Sequence, residues 1–153
     1  MDQDKLTGNS DFDLCDSTWR RITDKYGDDA LATDFSEEER VVALVWTVAG
    51  IVENGGFRYL FGSSLPGDPQ CEYTLEAFEK IGCTEARRAL EEALELFPNR
   101  RPPTDDKVRI SQYEKHSEEI RNAIDSKFWD SLKDIRKCLA SYIKAHFRGE
   151  GRY

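Results

Sequence analysis

Cys15, Trp19, Ile22 and Tyr26 recur at steps of four, three and four, the spacing that places side chains on one stripe of an α-helix. Gly27 can end that helix, because glycine accepts the positive φ of a C-terminal cap. Asp16, Arg20 and Asp24 fall on the opposite side and are expected to face water. Residues 28–35 form an acidic connection with a few apolar anchors, Ala30, Leu31 and Phe35. Ser36-Glu37-Glu38-Glu39 then has the form of a capping box, with three acids suited to the positive end of a helix dipole. The segment that follows, Val41 to Val52, is apolar around nearly its whole circumference, as expected of a helix surrounded by others. Asn54-Gly55-Gly56 breaks it, and Phe57, Tyr59, Leu60 and Phe61 form a short helical turn folding back on the core.

After a loop over 62–69, Cys71, Leu75, Phe78 and Ile81 form the next stripe, stopped by Gly82. Thr84 caps a further helix that turns Ala86, Leu90, Ala93 and Phe97 inward, and the two make a helical hairpin. Pro102 and Pro103 exclude a helix interior, so 99–106 reads as the clearest loop. Beyond it, Tyr113, His116 or Ser117, Ile120 and Ile124 outline one helix, and Phe128, Leu132, Ile135, Leu139, Tyr142 and His146 outline the last. Residues 1–10 and 148–153 are expected to fray. No alternating strand pattern appears, so the chain reads as all-α, a single-domain bundle of five to six helices over 1–153.

Composition adds that the chain can fold unaided: at 153 residues, 39% hydrophobic with eight Phe, six Tyr and three Trp, it holds enough large apolar groups for one core. The longest apolar run is too short for a membrane span, and the first residues lack a secretory pattern, so a cytoplasmic location without membrane contact is expected. Cys15, Cys71, Cys83 and Cys138 are widely separated and read as reduced thiols, mostly buried. A zinc site from Cys71, Cys83 and His116 would need three helices to converge and lacks the paired spacing of such sites. No metal and no cofactor is expected.

Charge changes the picture further. Residues 1–39 hold 12 acids and 4 bases, a net of −8, whereas 40–153 hold 18 of each. An acidic end of this kind attracts basic partners and repels nucleic acid, which makes Asp13, Asp16, Asp24, Asp28, Asp29 and Asp34 candidate partner-binding residues. Catalytic residues are not evident. His116 and His146 stand on helices without a local acid or nucleophile, and no hydrolase, zinc-protease or phosphate-binding motif is present. Glu53 ends a buried helix beside the glycine break, where it can accept hydrogen bonds from freed backbone amides. Arg100, Arg101, Lys107 and Arg109 give the proline loop a basic character, with a solvated loop as the expectation.

The string Glu53-Asn54-Gly55-Gly56-Phe57, followed by Tyr59 and Phe61, resembles the signature of the DNA-mimic-protein-like domain family. The Ile81-Gly82 helix pair, the Ala93-Leu94 helix ending in Phe97-Pro98, and Ile124-Asp125-Ser126-Lys127-Phe128-Trp129 resemble its later segments. The likeness covers about 36–147, with Tyr59 and Gly62 standing where the family often has Gln and Asn. It implies an all-helical protein that imitates the charge of DNA to occupy a DNA-binding regulator. The expected function is therefore that of a non-enzymatic acidic interaction protein with a basic protein partner. Two alternatives are an immunity or antitoxin-like inhibitor of a basic toxin, and an enzyme with a pocket near Glu53 and Phe57. The oligomeric state is open, a homodimer included.

Overall fold

The computed structural model describes residues 3–147, with side chains from Ser10 onward. Among these residues there are seven α-helices and no strand: α1 Gln3–Tyr26, α2 Glu37–Phe61, α3 Glu72–Lys80, α4 Thr84–Leu94, α5 Asp106–Glu114, α6 Glu118–Trp129 and α7 Leu132–His146. The central element is α2, which packs against α1, α3, α5, α6 and α7, while α4 lies on α3 and α6. This follows from its composition, since Val41 to Val45, Val48, Ala49 and Val52 are all buried. No helix among the described residues is long and apolar enough to cross a membrane. Of the ends expected to fray, residues 148–153 lie outside the described residues, whereas Gln3 to Ser10 form the start of α1.

The joint between α1 and α2 is polar and specific. Trp46 Nε1 donates to Asp16 at 3.0 Å, Trp19 Nε1 donates to the Thr47 hydroxyl at 2.9 Å, and the Tyr26 hydroxyl donates to Glu39 at 2.5 Å. Asp16, expected to face water, is thus half-buried between two helices. At the start of α2 the capping box forms as its sequence dictates, with Ser36 Oγ accepting from the Glu39 amide and Glu39 accepting from the Ser36 amide, both at 3.3 Å. Gly27 ends α1 at φ 86°, and its amide donates to the Thr23 carbonyl at 2.8 Å.

The count of seven corrects the expected five to six, and the reason lies in the C-terminal half. Asp105 caps α5 by accepting from the amides of Lys107 and Val108, but the helix carries little apolar signal because one of its core-facing residues is Arg109. The expectation of a solvated basic loop fails at this side chain, which is only 4% exposed. Its Nε donates to the Phe61 carbonyl at 2.6 Å and its Nη2 to the Ser63 carbonyl at 2.6 Å, while Nη1 donates to the carbonyls of Pro103 and Thr104. The guanidinium therefore ties the proline loop to the C-terminal end of α2, where unpaired carbonyls and the helix dipole favour a cation.

The helix expected through Tyr113 and Ile124 is also divided, because Ser117 caps a new helix by accepting from the Ile120 amide. Ile120 is 48% exposed rather than inward, and Phe128 belongs to α6 rather than to the last helix. At α4 the N-cap position is held by Cys83, with Thr84 as the first helical residue.

Glu39 sets one measurable property of this fold. Burial opposes its ionisation, but hydrogen bonds from Tyr26, Lys25 and Ser36 outweigh that and hold its carboxyl down from 4.5 to about 2. A carboxylate whose folded pKa is depressed stabilises fully above its unfolded value and loses that contribution as the pH falls towards the folded one. Thermal unfolding followed from about pH 6 to about pH 2 should show a decline beginning near 4.5, and Glu39→Gln should flatten that decline while lowering stability at neutral pH.

Candidate functional site

Inside an α-helix each amide donates to the carbonyl four residues earlier. In α2 that ladder fails at Gly55 (φ −154°, ψ 17°) and Gly56 (φ 71°, ψ −173°). The Gly56 conformation is one that only glycine occupies without strain. In a continuous helix the Phe57 amide would donate to the Glu53 carbonyl and the Val52 carbonyl would accept from Gly56. Both groups find partners on α6 instead. Asp125 Oδ1 accepts from the Phe57 amide at 3.0 Å, and Trp129 Nε1 donates to the Val52 carbonyl at 2.8 Å. Asp125 and Trp129 stand four residues apart and so share one face of α6.

Between those two contacts, the buried Phe128 ring meets Phe57 edge-on at 5.5 Å and Phe78 at 5.9 Å. Phe57, Leu60 and Phe61 are buried, which holds the elbow down on the core. Asp125 is 8% exposed; burial pushes its carboxyl pKa up, against the hydrogen bond from Phe57 and the charge of Arg121. The role expected of Glu53, receiving an amide freed by the break, is therefore taken by Asp125. Nothing about position 125 alone marked it for this, although an Asp beside the core positions Ile124 and Phe128, with Trp129 four residues on, is a readable cue.

Glu53 points to the surface, with Arg136 Nη2 4.0 Å away, and Asn54 is exposed. Tyr59 is 56% exposed. Its ring lies over Gly55 so closely that a Cβ there would collide with it, so Gly55 serves as a seat for an exposed aromatic ring. Beside Glu53 there is an apolar cleft of about 170 Å³ between α1, α2 and α7. Phe57 is fully buried and takes no part in its lining.

The six candidate acids divide by environment. Asp16 is bonded to Arg20 and Trp46, and Asp34 accepts from the Leu31 amide at 2.7 Å, so both serve the fold. Asp13, Asp24, Asp28 and Asp29 are exposed; among the described residues no base lies within ion-pairing distance of them. Asp28 and Asp29 line an open concavity together with Glu72, Leu31 and Tyr73, and no Lys or Arg contributes to its walls.

The histidines serve packing contacts. His116 Nε2 donates to the Leu96 carbonyl at 2.8 Å, and His146 stacks on Tyr142 at 4.1 Å. Cys15, Cys71 and Cys83 are buried free thiols, with Cys138 half-buried; burial raises the first three to about 12. The described residues bring together no group of three or more His, Cys, Asp or Glu side chains suited to a metal ion.

Residues 33–146, well over half of the chain, match the family model described as DMP19-like protein. No curated protein and no solved structure shows significant similarity to the chain.

The elbow geometry predicts coupled substitutions. A Cβ on Gly56 would come 2.5 Å from Asp125 Oδ2 and would sit at a φ unsuited to an L-residue, so Gly56→Ala should cost more than about 1 kcal/mol. Asp125→Ala should itself cost about 1–3 kcal/mol by orphaning the Phe57 amide. Because the second change removes the atoms that the first collides with, the two losses should fall short of additivity by about 0.5–3 kcal/mol. Urea unfolding of the four proteins measures the cycle; full additivity would show that Asp125 does not crowd the elbow.

Proposed function

The chain belongs to the DMP19-like protein family, and on that premise we propose that it acts as a DNA mimic: a non-enzymatic acidic protein that occupies a basic DNA-binding regulator in place of DNA. The observation that carries this reading is the acidic concavity formed by Asp28, Asp29 and Glu72, with no base in its lining. Duplex DNA presents one charge per about 1.7 Å of axis, and acids four residues apart on a helix give one per about 6 Å. A single helix is therefore too sparse, and acids from separate elements must converge. Asp28 and Asp29 come from the connection after α1 and Glu72 from the start of α3, which supplies such convergence.

Asp13, Asp24, Asp28 and Asp29 precede the family-matched residues, so the reading of these four acids rests on their exposure and charge. Leu31, 54% exposed beside the same concavity, adds apolar contact area for a protein partner.

The test uses the full chain immobilised in a lysate of its own cells at low salt. The expected captured protein is a DNA-binding one that duplex DNA displaces. Changing Asp13, Asp24, Asp28 and Asp29 together to Asn should slow its association by about tenfold or more at low salt and flatten the salt dependence. The fold should be unaffected, because Asp16, which holds Trp46, is left intact. A partner indifferent to DNA, or identical salt slopes for the two proteins, would overturn the reading.

A further inference from the structure

Trp46, Gly50 and Glu53 lie on one stripe of α2 and form one side of the cleft of about 170 Å³; Phe12 of α1 and Leu132 and Arg136 of α7 lie opposite. Glycine within a helix is destabilising relative to alanine because it loses more chain entropy on folding, so a mid-helix glycine requires a reason. Nothing lies within 4 Å of the place a Cβ on Gly50 would occupy, and its φ is not in the left-handed region, so neither packing nor backbone shape demands glycine here. What the missing side chain leaves open is the floor of the cleft. The Trp46 wall is held in place by the hydrogen bond from its Nε1 to Asp16 at 3.0 Å.

The charged groups of the lining are Glu53 and Arg136. Their closest approach is 4.0 Å, longer than a hydrogen bond, and the two side chains are 51% and 37% exposed. A carboxylate and a guanidinium therefore stand side by side at an apolar slot, each able to bond a further group. An apolar carboxylate placed there would be attracted by Arg136 and repelled by Glu53, and an apolar amine the reverse. A ligand carrying an ammonium and a carboxylate on one carbon atom satisfies both. A dry cavity of about 150 Å³ holds a benzene ring, so the slot suits a side chain of leucine or phenylalanine size.

The geometry points to a binding site for a free α-amino acid with a bulky apolar side chain: the side chain fills the slot over Gly50, the ammonium meets Glu53 and the carboxylate meets Arg136. This site shares no residue with the acidic concavity, and the inference stands independently of the DNA-mimic reading.

Calorimetric titration of the full chain with L-phenylalanine, L-leucine, 3-phenylpropionate, 2-phenylethylamine and L-glutamate tests it. Phenylalanine or leucine should bind, and the two singly charged analogues and glutamate should bind at least about tenfold more weakly. Glu53→Gln and Arg136→Met should each weaken amino-acid binding by a similar factor. Gly50→Leu should fill the slot and abolish binding without lowering the melting temperature, because leucine is the better helix former. Should Gly50→Leu fail to fold, Gly50→Ala must weaken binding while raising the melting temperature. Absence of binding by either amino acid, equal binding of a singly charged analogue, or undiminished binding by the folded glycine variant would overturn the assignment.

Discussion

A helix that breaks inside a protein core must find new partners for the amide and carbonyl it releases, and the rest of this structure depends on how that is done at Gly55-Gly56. The Phe57 amide and the Val52 carbonyl are both met from α6, by Asp125 at 3.0 Å and Trp129 at 2.8 Å. Leaving such groups buried and unmet costs about 1–3 kcal/mol each, a large fraction of a domain's net stability. The elbow therefore requires α6 in one register, and α6 in turn presents Phe128 to Phe57 and Phe78. Two short sequence blocks some seventy residues apart in the chain thus act as a single structural unit.

The far end of α2 is handled by the same logic with a charged group. The Arg109 guanidinium donates to carbonyls at the end of α2 and in the proline loop, where a cation is stabilised by hydrogen bonds and by the helix dipole. At its start, the same helix is held to α1 by Tyr26, Trp19 and Asp16. The central helix is thus apolar along its body but positioned by specific polar contacts at its start, bend and end. That division is economical, because apolar packing drives burial without direction whereas hydrogen bonds select one register.

Charge is arranged by a separate rule. Some acids are drawn into pairs, such as Glu39 with Lys25 and Glu37 with Lys80, while Asp28 and Asp29 of the connection after α1 are among the exposed acids. Asp16 and Asp34 are bonded within the fold, whereas Asp28 and Asp29 are exposed and line an open concavity.

Much of the fold was legible in local pattern. The stripe from Cys15 to Tyr26, the Ser36 capping box, the buried body of α2 and the break at its two glycines each depend on residues a few positions apart, and each appears as read. By itself the sequence determined an all-α chain with α2 at its centre, because helical periodicity and caps are local properties. Only the tertiary structure decided that Asp125 rather than Glu53 receives the freed amide, that Arg109 is buried, and that Asp28 and Asp29 line one concavity with Glu72. Each of these joins residues distant in the chain, and for a charged side chain the sequence shows its type but not whether distant backbone carbonyls or amides will surround it. The same limit explains why α5 is not legible as a helix separate from α6: its inward face is made partly by a guanidinium that packs through hydrogen bonds, and no apolar period records that.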